Sequence, residues 1–125
     1  LQHLETIHRL KTGHLIRAAV RMGALTAGAD ATALASLDRY ADAVGLAFQV
    51  HDDILDVIGD TAILGKKQGA DEALEKATYP KLMGLEAAQN LAQSLRDQAL
   101  QAIAGFDERA SALRAIADYI VSRNH

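Results

Sequence analysis

The chain has no cysteine, no tryptophan and one proline in 125 residues. Without cysteine there is no disulfide framework and no thiolate metal site. Aromatic residues make up only 4%, while hydrophobic residues reach 50% and include 25 alanines, a composition that favours helix over strand. There is no basic excess either. A net charge of −3 and a pI near 5.9 argue against a nucleic-acid binder, which needs a positive patch. No run of about 18 apolar residues is present, so no membrane span is expected, and no signal-peptide pattern is seen. A cytoplasmic location is the simplest expectation. The length suits one domain. Because the sequence begins at Leu1 rather than Met, it is expected to be part of a longer chain. No internal repeat, low-complexity tract or alternating β-pattern is found, and the expected fold is all-α, a helical bundle.

What the chain does have is a cluster of acids in an apolar setting. Phe48 to Asp56 reads Phe-Gln-Val-His-Asp-Asp-Ile-Leu-Asp. With Phe48 at zero and about 100° per residue, Asp52 falls near 40°, Asp56 near 80°, Gln49 near 100° and Asp53 near 140°. The polar groups therefore share one arc, and Leu46, Val50, Ile54, Leu55, Val57 and Ile58 take most of the rest of the circle. A helix that is apolar nearly all round is buried, so the arc is expected to face a cavity. Like charges one turn apart repel. Gly59-Asp60 suggests that the helix ends soon after Asp56, which would also set the acids against the helix dipole. A hard divalent cation resolves this conflict, since Mg²⁺ takes one or two carboxylates and completes its shell with water and substrate phosphates. The spacing alone also fits an acidic helix end that is solvated or paired with Lys and Arg.

Along the chain, Leu4 and Ile7 mark a short amphipathic helix interrupted at Lys11-Thr12-Gly13. The pattern resumes with Leu15, Ala18, Ala19, Met22 and Leu25 on one face and ends at Ala27 to Asp30. Asp30 reads as an N-cap for a long helix from about Ala31 to about Ile58. Gly59 to Asp71 breaks the periodicity, and a loop of this length inside a domain is usually functional or mobile. Thr78-Tyr79-Pro80 reads as a helix start. The helix that follows runs from about Lys81 to Ala104 with a soft spot at Gly84. Asp107 can cap the last helix, Glu108 to about Arg123.

Lys11-Thr12 before Gly13 offers a charge and a hydroxyl to a phosphate, or else a solvated Lys at a kink. Gly65-Lys66 tells the same story, with a charged surface loop as the alternative, and Lys76 has its own solvated-face reading. Taken together, a carboxylate cluster and several lysines suit Mg²⁺ plus a diphosphate, each charge set needing the other. His51 projects near 300°, away from the arc, so a core or interface role is expected for it. The other histidines are scattered without zinc spacing, and no nucleophile motif is present.

These residues resemble the trans-prenyl diphosphate synthases. Phe48-Gln49 with Asp52-Asp53-Ile54-Leu55-Asp56 is similar to that family's second aspartate-rich motif. The agreement continues through Gly59-Asp60, Leu64-Gly65-Lys66, Gly69-Ala70-Asp71, Lys76 and Thr78-Tyr79-Pro80, and Lys11-Thr12 stands where the family has its Lys-Thr pair. The likeness is strongest to the bacterial farnesyl diphosphate synthase branch. It implies the C-terminal half of the isoprenoid synthase fold, with residues 1–125 forming part of a single domain whose N-terminal half lies outside this chain. It also implies Mg²⁺, small-molecule diphosphate substrates and a homodimer. By position, Asp52 would ligate Mg²⁺ directly, with Asp53 and Asp56 assisting. Lys11, Gln49, Lys66 and Lys76 would contact the allylic diphosphate, Thr12 would line the cation, and Phe48 would belong to the substrate-binding set. The first aspartate-rich motif and the grip for isopentenyl diphosphate are absent here, so the chain alone is expected to be inactive. Relatives making geranyl or geranylgeranyl diphosphate, or a non-catalytic helical partner subunit, are the alternatives.

Overall fold

The computed structural model describes residues 2–64 and 77–124, apart from the side chains of Arg9, Lys11 and 60–64. Within them every regular element is a helix. Helix α1 (Gln2–His8) runs through a π-helical turn (Arg9–Gly13) into α2 (His14–Thr26). The long α3 (Ala31–Leu64) follows. A short α4 (Tyr79–Met83) leads into α5 (Leu85–Ala102), and a 3₁₀ turn (Glu108–Ala110) precedes α6 (Ser111–Ser122).

Local chemistry sets these boundaries. The Asp30 carboxylate accepts the Ala33 N–H at 2.8 Å, the expected cap of α3. Asp107 accepts the Arg109 N–H at 2.9 Å but caps the 3₁₀ turn, and α6 itself starts three residues later than expected, at Ser111, without a side-chain cap. Gly84 separates α4 from α5 with φ at 91°, a left-handed value that a side chain would resist. Two expectations are corrected. Lys11-Thr12-Gly13 does not break the helix; the run bulges into a π turn and goes on, with Gly13 at ordinary right-handed angles. Gly59-Asp60 does not end α3 either, because helix persists to Leu64. One interior glycine costs only about 1 kcal/mol, too little to stop a helix anchored by packing. The rest of the expected loop, 65–71, lies outside the described residues.

The core forms where α3 meets α5. Tyr40, Ala43, Val44, Ala47, Val50 and Ile54 pack in one cluster with Ala88, Ala92, Leu95, Ala99 and Ile103. The α5 stripe repeats at helical spacing and is mostly alanine, which lets the two helices lie close. Helix α6 adds Ala117, Ile120 and Val121. The Tyr40 hydroxyl donates to the Leu113 carbonyl at 2.7 Å, tying α3 to α6, and burial pushes its pKa up to about 12. On α2 the apolar stripe has another fate: Leu15, Met22 and Leu25 are 72%, 64% and 58% exposed. That helix is held to α3 by Arg17 and Arg21, which pair with Asp38 at 3.4 and 2.6 Å.

Candidate active site

The π turn and α3 bring two separate sequence motifs together. Gly45 lies where they meet: a Cβ there would stand 3.4 Å from the Gly13 Cα and 3.5 Å from Ile16 Cδ1, in ordinary contact. One turn further along α3, the Gln49 amide donates to Thr12 Oγ1 at 3.0 Å. The Lys-Thr segment is thus fixed on the same helix as the aspartates, and π turns recur at functional sites. The Lys11 backbone lies in that turn; its side chain, together with Lys66 and Lys76, is outside the described residues.

Little more than one turn of α3 carries the acids. Asp52 is half open, with its side chain 50% exposed, Asp53 is half-buried, and Asp56 is exposed. Because α3 runs on to Leu64, Asp56 sits about two turns and Asp52 about three turns from its end. A helix dipole acts mainly within the last turn, so the expected dipole penalty largely disappears. Other groups answer the remaining repulsion. The Tyr79 N–H at the start of α4 donates to Asp53 Oδ2 at 3.1 Å, and Arg123 Nη2 lies 3.4 Å from Asp52 Oδ1.

The Asp53 carboxyl is held above its ordinary range. Burial raises its pKa, the neighbouring Asp56 and Asp52 charges add to the rise, and the Tyr79 N–H and the nearby His8 pull the other way; the net direction is upward. Tyr79 links these groups: it is fully buried, and its hydroxyl shares a 3.3 Å hydrogen bond with His8 Nδ1. His51 stands off the arc as expected, buried and 2.9 Å from the Arg123 carbonyl.

Among the described residues no three His, Asp or Glu side chains form a group that could hold a metal ion by themselves. The donor set nevertheless fits Mg²⁺. Asp52 and Asp56 are hard oxygen donors one turn apart on an accessible face, and this cation prefers one or two carboxylates with water and phosphate oxygens around the rest. Two clefts, of about 560 and 600 Å³, lie elsewhere, the first beside Arg39, Asp42 and Leu95 and the second beside Leu37, Phe106 and Leu113.

The sequence reading missed Arg123, which packs its guanidinium 4.7 Å from the centre of the Phe48 ring. It also took Tyr79 only as part of a helix start. Both contacts join residues far apart in the chain, where periodicity carries no signal. The placing of His8 one turn before Lys11 was the available hint of a shared face.

Comparison with known proteins bears on this arrangement. The polyprenyl synthetase family model matches residues 1–119. The farnesyl diphosphate synthase of Escherichia coli is 59% identical across 99% of this chain and 43% of its own length. The geranylgeranyl diphosphate synthase of Cyanophora paradoxa is 46% identical across all of this chain and 42% of its own. A solved structure from Marinomonas sp. MED121, of a protein assigned as a farnesyl-diphosphate synthase, superposes with a TM-score of 0.81 at 45% identity; it covers 98% of this chain and 40% of that one. The chain therefore spans less than half the length of these relatives.

Proposed function

This chain belongs to the polyprenyl synthetase family, and from that premise we propose that the complete protein is a magnesium-dependent prenyltransferase of the farnesyl diphosphate synthase type. In the proposed reaction an allylic diphosphate, dimethylallyl or geranyl, loses diphosphate together with the electron pair of its C–O bond. The double bond of isopentenyl diphosphate attacks the allylic carbon, and loss of a proton leaves a product five carbons longer. The observation that carries this reading is the seating of Thr12 on Gln49, at 3.0 Å, one turn before the aspartates. It gathers a phosphate-binding segment and a carboxylate face onto one helix.

Each residue has a part in the proposal. Asp52 ligates the cation directly, and Asp53 and Asp56 do so directly or through water. When bound, Mg²⁺ draws off the charge that collects on the leaving diphosphate. Lys11, Gln49, Lys66 and Lys76 contact the allylic diphosphate and stabilise the same charge. Thr12, held by the Gln49 amide, lines the developing cation, and Phe48 belongs to the substrate-binding wall. The chain forms the C-terminal part of one domain, and the rest of that domain supplies the first aspartate-rich motif and the isopentenyl diphosphate grip. The complete protein works as a homodimer in the cytoplasm. Among the described residues no helix is long and apolar enough to cross a membrane.

Product analysis of the complete protein, fed five-carbon diphosphates and Mg²⁺, tests the proposal. A fifteen-carbon product is expected. A ten- or twenty-carbon product would reassign it to the geranyl or geranylgeranyl type. No condensation, together with no Mg²⁺-dependent diphosphate binding, would make it a helical partner subunit. The 125-residue chain alone is expected to be inactive, and farnesyl diphosphate formed by it would contradict the division of the site.

A further inference from the structure

Helix α6 ends at Arg123, and the side chain there does not run out into solvent. It turns back onto α3, only 8% exposed, and lays its guanidinium over the Phe48 ring. Nε donates to the Ile120 carbonyl at 3.1 Å, and Nη2 approaches the Phe48 carbonyl at 3.5 Å and Asp52 Oδ1 at 3.4 Å. The backbone is fastened too, since the Arg123 carbonyl accepts the His51 Nε2–H at 2.9 Å. The end of α6 is thereby stapled to the residues on either side of Val50 and beside Asp52.

Long basic side chains usually keep their charged heads in water, and burying one costs several kcal/mol unless it is well partnered. The partners here exploit the planar fork of arginine, which stacks on an aromatic face while donating in its own plane; an ammonium cannot do both. At 3.4 Å the approach to Asp52 is longer than the 2.7–2.9 Å of a full charge-assisted hydrogen bond. The contact is with one carboxylate oxygen alone, and half of the Asp52 side chain stays open.

We propose that Arg123 is a positioning residue for Asp52, holding that carboxylate in the orientation that receives a divalent cation with diphosphate and coupling it to the seating of the α6 terminus. The inference rests on the reading of Asp52 as a cation ligand. Charge alone predicts the opposite effect, because a guanidinium beside a cation site repels the cation, so removing it would tighten binding.

The test is Mn²⁺ occupancy of the complete protein, read by electron paramagnetic resonance in the presence of inorganic diphosphate. Arg123→Met is expected to raise the half-saturating Mn²⁺ concentration about tenfold. Arg123→Lys keeps the charge but loses the fork, so it should not restore binding; it also carries the test should the Met variant fail to fold. In an Asp52→Ala background the Arg123 substitution should change occupancy less than twofold, which a general loss of structure would not reproduce. Unchanged or tighter Mn²⁺ binding by Arg123→Met, full recovery by Arg123→Lys, or the same tenfold loss in the Asp52→Ala background overturns the inference while leaving Asp52 as a ligand. If the unsubstituted protein binds no Mn²⁺ with diphosphate, both this inference and the reading beneath it fall.

Discussion

From Leu37 to Val50, helix α3 turns Tyr40, Ala43, Val44, Ala47 and Val50 into the core, each 7% exposed or less. From Asp52 to Ile58 the same helix carries three carboxylates and an exposed Ile58. The contrast shows how a costly acidic segment is kept helical. Repulsion between like charges one turn apart is worth about 0.2–0.5 kcal/mol, whereas one fully buried Val or Ile contributes about 1.5–3 kcal/mol. Val50 and Ile54, on either side of Asp52 and Asp53, are both buried and alone outweigh the repulsion. On the proposed reading, stability comes from the buried side chains, Ile54 included, and chemistry from the carboxylates, so substitutions in the two sets should move different observables.

The largest separation is expected from Asp52→Ala in the complete protein. Turnover should fall about 10²–10³-fold, the scale of losing one preorganised electrostatic group, while the melting temperature barely moves. Unchanged rate and Mg²⁺ dependence would remove Asp52 from the site. Next, Tyr40→Phe removes the hydroxyl that donates to the Leu113 carbonyl and should cost about 0.5–1.5 kcal/mol in chemical denaturation. Its activity should stay near the parent's at temperatures where both are folded. A catalytic defect without a stability loss would break the division between the two sets.

A smaller effect, with a definite sign, belongs to Asp53. Its carboxyl pKa is raised in the fold, chiefly by burial. A raised folded pKa favours the fold while the group is protonated; that favour is complete below the ordinary value of about 3.9 and is lost as pH rises through the raised one. Asp53→Asn cannot ionise, yet its side-chain oxygen can still accept the Tyr79 N–H. The metal-free variant should therefore melt above the parent at pH 7 and alongside it near pH 3. Equal melting at pH 7 would show that Asp53 is not destabilised by its surroundings. Smallest of all, His51→Gln keeps a donor for the Arg123 carbonyl at a buried position and should cost about 1 kcal/mol or less.

Much of this was legible in the sequence because it is local. The cap at Asp30, the turn start at Asp107, the soft spot at Gly84 (where the helix divides in two), the position of His51 off the arc and the all-helical fold each depend on a few neighbouring residues. The extent of α3 past Gly59 was not legible, since packing upstream overrides one glycine. Nor was the fate of the α2 stripe. Leu15, Met22 and Leu25 have the spacing of a buried face, like the one that α5 buries, but periodicity says only that a face is apolar and not what it meets. At the site, the residue types and their helical arc could be read from the chain, while the contacts of Arg123 with Asp52 and Tyr79 with Asp53 span 71 and 26 residues and became visible only in the fold.

The central claim is that the carboxylate face of α3 holds a divalent cation together with a diphosphate. Calorimetric titration of the complete protein with inorganic diphosphate, with Mg²⁺ and then with excess chelator, tests it most directly. Binding should require Mg²⁺ and should vanish in Asp52→Ala; diphosphate that binds equally well without the metal, or equally well to that variant, would contradict the account.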